Sequence, residues 1–280
     1  MKQVAIQGIA GCYHEQAARQ YFREEQIEIV PCESFTKEFA ALAEDDTLLG
    51  IVAIENTIAG ALLQNHELLS ESNMQIIGEQ KIRIEHMLAV LPDAEIADIK
   101  EVNSHPIALM QCQKWLGQYP DVKVVERGDT ASSAMEIAKN SLHAHAAICG
   151  ELAANLYGLK ILERGIETNK RNFTRFLILA PEHKAPQMVD KEKINKASIV
   201  FTLAHTSGAL SKVLTILSFY DLNLSKIQSM PIVGVEWEYK FYIDLTFSSF
   251  ERYLQAIEAI RPLTNYIKSL GEYVRCENPQ

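Results

Sequence analysis

For its first 180 residues this chain alternates short apolar runs with helix-length amphipathic segments. "QVAIQ" precedes a helix from about Tyr13, "IEIVP" one near 35–43, and "LLGIVAI" one near 62–72. "IKEVNS" precedes a helix starting near Pro106, and "DVKVVE" one starting near Thr130. Strands alternating with helices define an α/β fold with largely parallel sheets. Right-handed crossovers then put each strand-to-helix loop on the carboxyl edge of its sheet. Residues 181–196 carry two prolines, many charges and no clear period, and read as a linker. Beyond it the pattern contracts to βαββαβ over residues 197–275, the mark of a separate small module.

Several function classes fall away on composition. The 280 residues are enough for one large or two ordinary domains. No run approaches the roughly 20 apolar residues of a membrane span. The opening "MKQVAIQGIAG" lacks the apolar stretch and cleavage site of a secretory signal, so a cytoplasmic location is expected. The five cysteines are scattered, with no CxxC, which predicts neither a disulfide framework nor a zinc knuckle. A net charge of -9 without a Lys/Arg run argues against nucleic acid. No phosphate loop, HExxH or full GxGxxG occurs, so neither a metal nor an organic cofactor is expected.

Four strand ends of the first domain carry small or polar residues where helices begin. They are Gly8 to Gly11, Glu55-Asn56-Thr57, Ser104-His105-Pro106 and Gly128-Asp129-Thr130. Each alone is explained by helix capping, since Thr57, Ser104 and Asp129 are good N-cap types and Pro106 suits a first turn. Gathered on one edge, their free N–H groups would form an anion site. "NFTRF" adds Asn172, Thr174 and Arg175 at the start of an otherwise apolar strand. Side chains alternate along a strand, so Thr174 and Arg175 face opposite ways, one able to bind while the other braces. An arginine fork suits a carboxylate, and a threonine hydroxyl can donate to a leaving oxygen. A small dianion would fit.

The ordered set "GIAGCYHEQAA", "AIENTIAG", "SHPIALMQC", "GDTASSA" and "NFTRF" resembles bacterial prephenate dehydratase, and the C-terminal "GAL" and "QSMPIVGVEWEYKFYIDL" stretches resemble the ACT regulatory domain that follows it. The resemblance covers essentially the whole chain. It implies a catalytic domain (1–180) of two lobes, like a periplasmic binding protein, with the second lobe at roughly 79–157 and the active site between them. It implies loss of water and carbon dioxide from prephenate to give phenylpyruvate for phenylalanine biosynthesis, without a cofactor. Thr174 would supply the essential hydroxyl. Arg175 would be a substrate-carboxylate or structural anchor, and His105 or Glu55 a proton relay. Asn56, Thr57, Ser104, Asp129, Thr130, Gly11, Asn172 and Phe176 complete the implied cleft. The ACT module (197–275) would bind phenylalanine as effector around Gly208, Ala209, Leu210, Asn223, Leu224, Gln228 and Ser229, in a homodimer or homotetramer joined through the ACT and catalytic domains. Arogenate as substrate, and a non-enzymatic binding role, are the rival readings.

This chain also departs from the family pattern. Ile9, Cys12 and His14 stand where proline, threonine and serine are usual, and Ile107 replaces glutamine. The Glu-Ser-Arg-Pro of the module is Gln228-Ser229-Met230-Pro231. Because both charged partners change together, the module is expected to fold and pair, with altered effector strength or coupling.

Overall fold

The computed structural model describes residues 1–277 apart from 24 and 233. The first lobe contributes β1 (Lys2–Gln7), α1 (Tyr13–Tyr21), β2 (Ile27–Cys32), α2 (Phe35–Glu44), β3 (Leu49–Asn56), β4 (Gly60–Ala61), α3 (Leu63–Glu71) and β5 (Met74–Arg83). The second follows with β6 (Met87–Val90), β7 (Glu101–Ser104), α4 (Pro106–Gln111), α5 (Gln113–Leu116), β8 (Lys123–Glu126), α6 (Thr130–Asn140), β9 (His145–Cys149), α7 (Glu151–Leu156) and β10 (Lys160–Glu163). β11 (Phe173–Pro181) returns to the first sheet, and α8 (Ala185–Met188) leads away from it. β12 (Lys196–Thr202), α9 (Ala209–Phe219), β13 (Asn223–Pro231), β14 (Tyr239–Thr246), α10 (Phe250–Ile260) and β15 (Tyr266–Tyr273) make the C-terminal domain.

The strand orders are β2-β1-β3-β11-β5, with β4 on β3, then β10-β6-β9-β7-β8, and β13-β14-β12-β15. The first two sheets are mixed rather than largely parallel. β1, β2 and β3 run parallel, as do β7, β8 and β9, but β11 is antiparallel to both β3 and β5. β6 is likewise antiparallel to β9 and β10. The reason is that the chain crosses between lobes twice, so the strands flanking each crossing run against their neighbours. The two crossings are tied together, Ile84 N donating to Asn172 O at 2.8 Å and Ile166 N to His86 O at 3.0 Å. The second sheet spans Met87 to Glu163, because β5 stays paired with β11 as far as Arg83 and β10 pairs with β6.

The C-terminal sheet lies against the first lobe. Val200, Tyr242, Leu270 and Tyr273 share a core with Val52, Ile54, Ile76, Leu177 and Leu179. Its other face packs on α9 and α10 through Ile199, Phe201, Val213, Leu217, Tyr253 and Ile260. β12 is therefore buried on both faces, which explains why "ASIVF" is apolar at every position but Ser198. Gly271 of β15 has φ +153°, and a Cβ there would lie 2.3 Å from the carbonyl oxygen of Ile76, so only glycine lets the two sheets approach this closely. Lys196, assigned to the linker on sequence, is instead the buried first residue of β12.

Candidate active site

β11 has two chemically different faces. Thr174 and Phe176 point into the cleft between the lobes, while Arg175 points to the C-terminal domain. The cleft holds a cavity of about 440 Å³, lined among others by Tyr13, His14, Asn56, His105, Gln111, Asp129, Thr130, Thr174 and Phe176.

Thr174 Oγ1 accepts a hydrogen bond from Asn56 Nδ2 at 2.9 Å. The orientation of that amide is fixed by the chain, because Asn56 Oδ1 accepts from the N–H groups of Ile58 and Ala59 at 2.9 and 2.8 Å. Asn56 Nδ2 also donates to Asn172 Oδ1 at 2.8 Å, and Asn172 Nδ2 donates to Gln111 Oε1 at 2.8 Å. The same Gln111 oxygen sits 2.8 Å from His86 Nε2, which places the hydrogen of neutral His86 on Nε2. His86 Nδ1 then faces the Tyr13 hydroxyl at 3.0 Å. With its oxygen occupied by Asn56, the Thr174 hydroxyl keeps its own hydrogen for a further acceptor in the cleft.

Tyr13, His86 and Gln111 were missed on sequence. Gln111 closes the same "SHPIALMQC" segment that begins with His105, which was the available signal. Their partners lie 25 to 73 residues away, so only the fold reveals them. Asn172 is fully buried and acts through Asn56 and Gln111. His105 lines the cavity and caps α4, its Nδ1 accepting from Ile107 N at 3.2 Å. Asp129 and Thr130 line the cavity at the start of α6.

Other expected site residues do not line this cavity. Ser104 is fully buried and donates to the carbonyl of Ile148 at 2.6 Å, tying β7 to the end of β9. Thr57 donates to Arg171 O and accepts from Phe173 N, both at 2.9 Å, and so fastens two loops. Gly11 is set by packing: a Cβ there would come 2.8 Å from Ala153 Cα on the other lobe, with φ at +90°.

Strand alternation turns Glu55 and Arg175 away from this cavity; with Thr57, Lys81 and Phe173 they line a second one, of about 470 Å³, that also meets Asn56 and Thr174. Arg175 Nε meets Glu55 Oε1 at 2.6 Å, Nη1 meets Glu79 Oε2 at 3.1 Å and Nη2 meets Asp244 Oδ2 at 2.6 Å. Lys226 holds the other Glu55 oxygen at 2.7 Å, and Lys196 holds Glu79 at 2.7 Å. Burial works against the Arg175 charge, but Asp244, Glu55 and Glu79 outweigh it and hold the guanidinium firmly protonated. Burial likewise opposes the Glu55 charge, yet Arg175 and Lys226 bring its carboxyl below the usual range. Of the two roles open to Arg175, this geometry is that of the structural anchor. The same pairings leave Glu55 no free oxygen for a proton relay.

Of the departures at the first loop, Cys12 and His14 also line the cavity. His14 is buried between Phe35 and Phe176, with Nε2 accepting from Ala53 N at 3.4 Å. Burial drives its pKa down to about 3, so it is a neutral ring. Burial pushes the Cys12 thiol up to about 12, far from a reactive thiolate.

A two-lobed α/β enzyme with its cleft between the lobes and a βαββαβ domain on its back is thus defined. Residues 4–184 match prephenate dehydratase, and the chain belongs to that family. It is 34% identical over 280 residues to "arogenate dehydratase/prephenate dehydratase 2, chloroplastic" of Arabidopsis thaliana, covering 96% of this chain and 72% of that protein. The prephenate dehydratase from Arthrobacter aurescens, solved in complex with L-Phe, superposes with a TM-score of 0.86 at 26% identity, covering 98% of this chain and 90% of that one. A protein described as a novel type of quorum quenching acylase superposes with a TM-score of 0.87 at 28% identity, over 98% of both chains.

Two outcomes test the site's construction. Arg175→Met leaves Glu55 and the buried Glu79 and Asp244 around an uncharged side chain and is expected to cost about 3–5 kcal/mol of stability. A urea titration of the variant measures it. A variant as stable as the wild type but with a much higher KM would show Arg175 to be a substrate ligand instead. The second concerns pH. On acidification the unfolded chain protonates His14 near its ordinary 6.5, whereas the folded protein resists to about 3. The stability contributed by neutral His14 is complete above pH 6.5 and is lost as pH falls toward 3. Wild-type stability should therefore drop across this window by about 1.4 kcal/mol per pH unit more than that of His14→Gln. Equal acid limbs in chemical denaturation would remove this role.

Proposed function

We propose that this protein is a prephenate dehydratase that converts prephenate to phenylpyruvate, water and carbon dioxide in phenylalanine biosynthesis. The observation that carries the reading is the Thr174 hydroxyl, held by Asn56 through its oxygen and free to donate its hydrogen into the cleft. As the ring carboxylate leaves as carbon dioxide, the electrons of the broken C–C bond enter the ring. They expel the ring hydroxyl on the opposite carbon, which departs with a proton as water. Charge develops on that departing oxygen, and a fixed donor stabilises it there more than in the ground state. Arogenate shares this ring chemistry and would use the same apparatus. Amide hydrolysis is less suited to the site. A threonine nucleophile needs a base at its hydroxyl, and Thr174 has an amide donor there instead. Five cysteines without a disulfide fit a reducing, cytoplasmic setting.

The C-terminal domain suits an ACT-type effector site made by two chains. Gly208 begins α9 beside the end of β12, whereas Asn223 pairs with Thr246 at the opposite end of the sheet. They are separated by the length of α9, about 16 Å. Within one chain, therefore, the two halves of the expected phenylalanine site cannot meet. β13 is an edge strand with alternate residues exposed. Antiparallel pairing of two such edges would bring Asn223 and Leu224 of one copy beside Gly208 to Leu210 of the other. Gln228 and Ser229 lie on that edge, where Gln228 Nε2 donates to Ser229 O at 2.9 Å.

Thr174→Val keeps the shape and removes the donor, so kcat is expected to fall about 10²–10³-fold with little change in KM. Asn56→Ala should fall in the same direction. Phenylpyruvate, read by its absorbance in alkali after incubation with prephenate, measures both, and a Thr174→Val enzyme with near-normal kcat would remove the hydroxyl from the mechanism. For regulation, phenylalanine is expected to bind the dimer and lower activity. Calorimetric titration beside an inhibition curve tests this. No heat at millimolar phenylalanine would reduce the domain to an assembly device.

A further inference from the structure

The row of hydrogen-bonded side chains behind Thr174 ends at Tyr13, and there the donors and acceptors do not match. The Tyr13 hydroxyl lies 3.0 Å from His86 Nδ1 and 3.0 Å from the carbonyl oxygen of Glu85. It has one hydrogen for two acceptors. With neutral His86 keeping its hydrogen on Nε2, toward Gln111 Oε1, one of the two acceptors goes short. A second ring proton, on Nδ1, removes the mismatch. His86 then donates to Gln111 through Nε2 and to the Tyr13 oxygen through Nδ1, and Tyr13 gives its hydrogen to Glu85 O. The amides of Gln111, Asn172 and Asn56 keep their orientation, as does the Thr174 hydroxyl.

The charged surroundings of His86 lean the same way. Glu167 has a fully buried side chain, and its Oε2 accepts from His86 N at 3.0 Å. Its Oε1 meets cations only at long range, Arg83 at 3.5 Å and Lys170 at 3.8 Å, and Arg83 also faces Glu85 at 3.9 Å. Cys112 and Cys149, near Tyr13, are uncharged thiols that burial pushes up to about 12. Burial of His86 itself lowers its proton affinity, against the pull of Gln111 and Glu167. Without a further negative charge nearby, the ring is neutral at pH 7.

His86 lines the cavity at Thr174, whereas Lys81 and Arg175 meet the second cavity. We propose that His86 takes up a proton on Nδ1 when an anionic substrate enters this cavity, so that the cleft carries the added positive charge only while it is occupied. The inference rests on the dehydratase reading, whose substrate has two carboxylates. The proton comes from solvent, and the Tyr13 hydrogen swings from Nδ1 to the Glu85 carbonyl as it arrives. A carboxylate within about 4–6 Å of the ring favours the imidazolium by about one to three pKa units. Loss of carbon dioxide leaves a product with one carboxylate instead of two, which holds the proton less firmly and so is released more readily.

The test is the pH dependence of kcat and KM for prephenate in the wild type, His86→Gln and Tyr13→Phe, with thermal melts alongside. The substrate's carboxylates stay ionised throughout pH 6.5–9. Because the free ring is neutral in this range, tight binding requires a proton. Wild-type KM is expected to rise about tenfold per pH unit above 6.5, over one to three units, before levelling, while kcat stays flat. Glutamine can keep a donor toward Gln111 but cannot gain a charge, so His86→Gln should hold the high KM at every pH. Tyr13→Phe removes the acceptor for the new N–H, so its KM should level at lower pH, a readout that stands even if His86→Gln does not fold. The other titratable groups of the lining are Cys12, Tyr13, His14, His105 and Asp129. A KM rise that persists in His86→Gln would assign the proton to one of them and overturn the inference, as would a wild-type KM independent of pH. A Tyr13→Phe profile identical to wild type overturns it too. No turnover of prephenate by the folded wild type at any pH would overturn the dehydratase reading itself, and this inference with it.

Discussion

The architecture depends on a largely buried set of charges between the first lobe and the C-terminal sheet. Arg175, Lys196 and Lys226 face Glu55, Glu79 and Asp244, with every ion pair between them at 3.1 Å or less. Three positive and three negative groups balance, and Ser198 adds a hydrogen bond to Asp244 at 2.6 Å. Such a set gains little over well-packed apolar side chains, but it tolerates no missing member. Its geometric demand is what matters. Glu55, Glu79 and Arg175 come from β3, β5 and β11 of one sheet, while Lys196, Lys226 and Asp244 come from β12, β13 and β14 of another. The two sheets can satisfy their charges only in one relative position, which Gly271 permits by its close approach to Ile76.

That position matters to the cleft because β3 and β11 carry chemistry on both faces. Glu55 and Asn56 are neighbours, one paired with Lys226 and the other with Thr174. Arg175 and Thr174 are neighbours in the same way. A shift of β13 against the first lobe would act on Lys226, then on Glu55, and would reach the Asn56 amide within one residue. Coupling between domains needs an element with two arrangements that ligands favour unequally. The ion set supplies a physical connection for it, and β13 is the strand that carries the edge proposed for the effector.

Much of the fold was legible in the sequence because it is local. The strand and helix order follows from hydrophobic period and turn residues, and the contraction at residue 181 marks the βαββαβ module. Strand direction was not legible. The antiparallel course of β11 follows from the double crossing between lobes, which leaves no local trace. At the site, alternation separated Thr174 from Arg175 correctly but could not say which faced the cleft. Glu55 and Ser104 were misplaced for the same reason, since a polar residue at a strand end caps, pairs or binds with an identical local pattern. Tyr13, His86 and Gln111 stayed hidden because their meaning lies in contacts between distant segments.

The hydrogen-bonded row from Ile58 to Tyr13 has a sense of direction. Two backbone N–H groups decide which end of the Asn56 amide faces inward. That choice dictates the orientation of Asn172, hence which atom of Gln111 receives it, hence the tautomer of His86. No member can turn over alone without setting two donors or two acceptors face to face. A tight turn after β3 thereby acts as the reference terminal of a circuit that runs along the floor of the cleft, and the free hydrogen of Thr174 is one of its outputs.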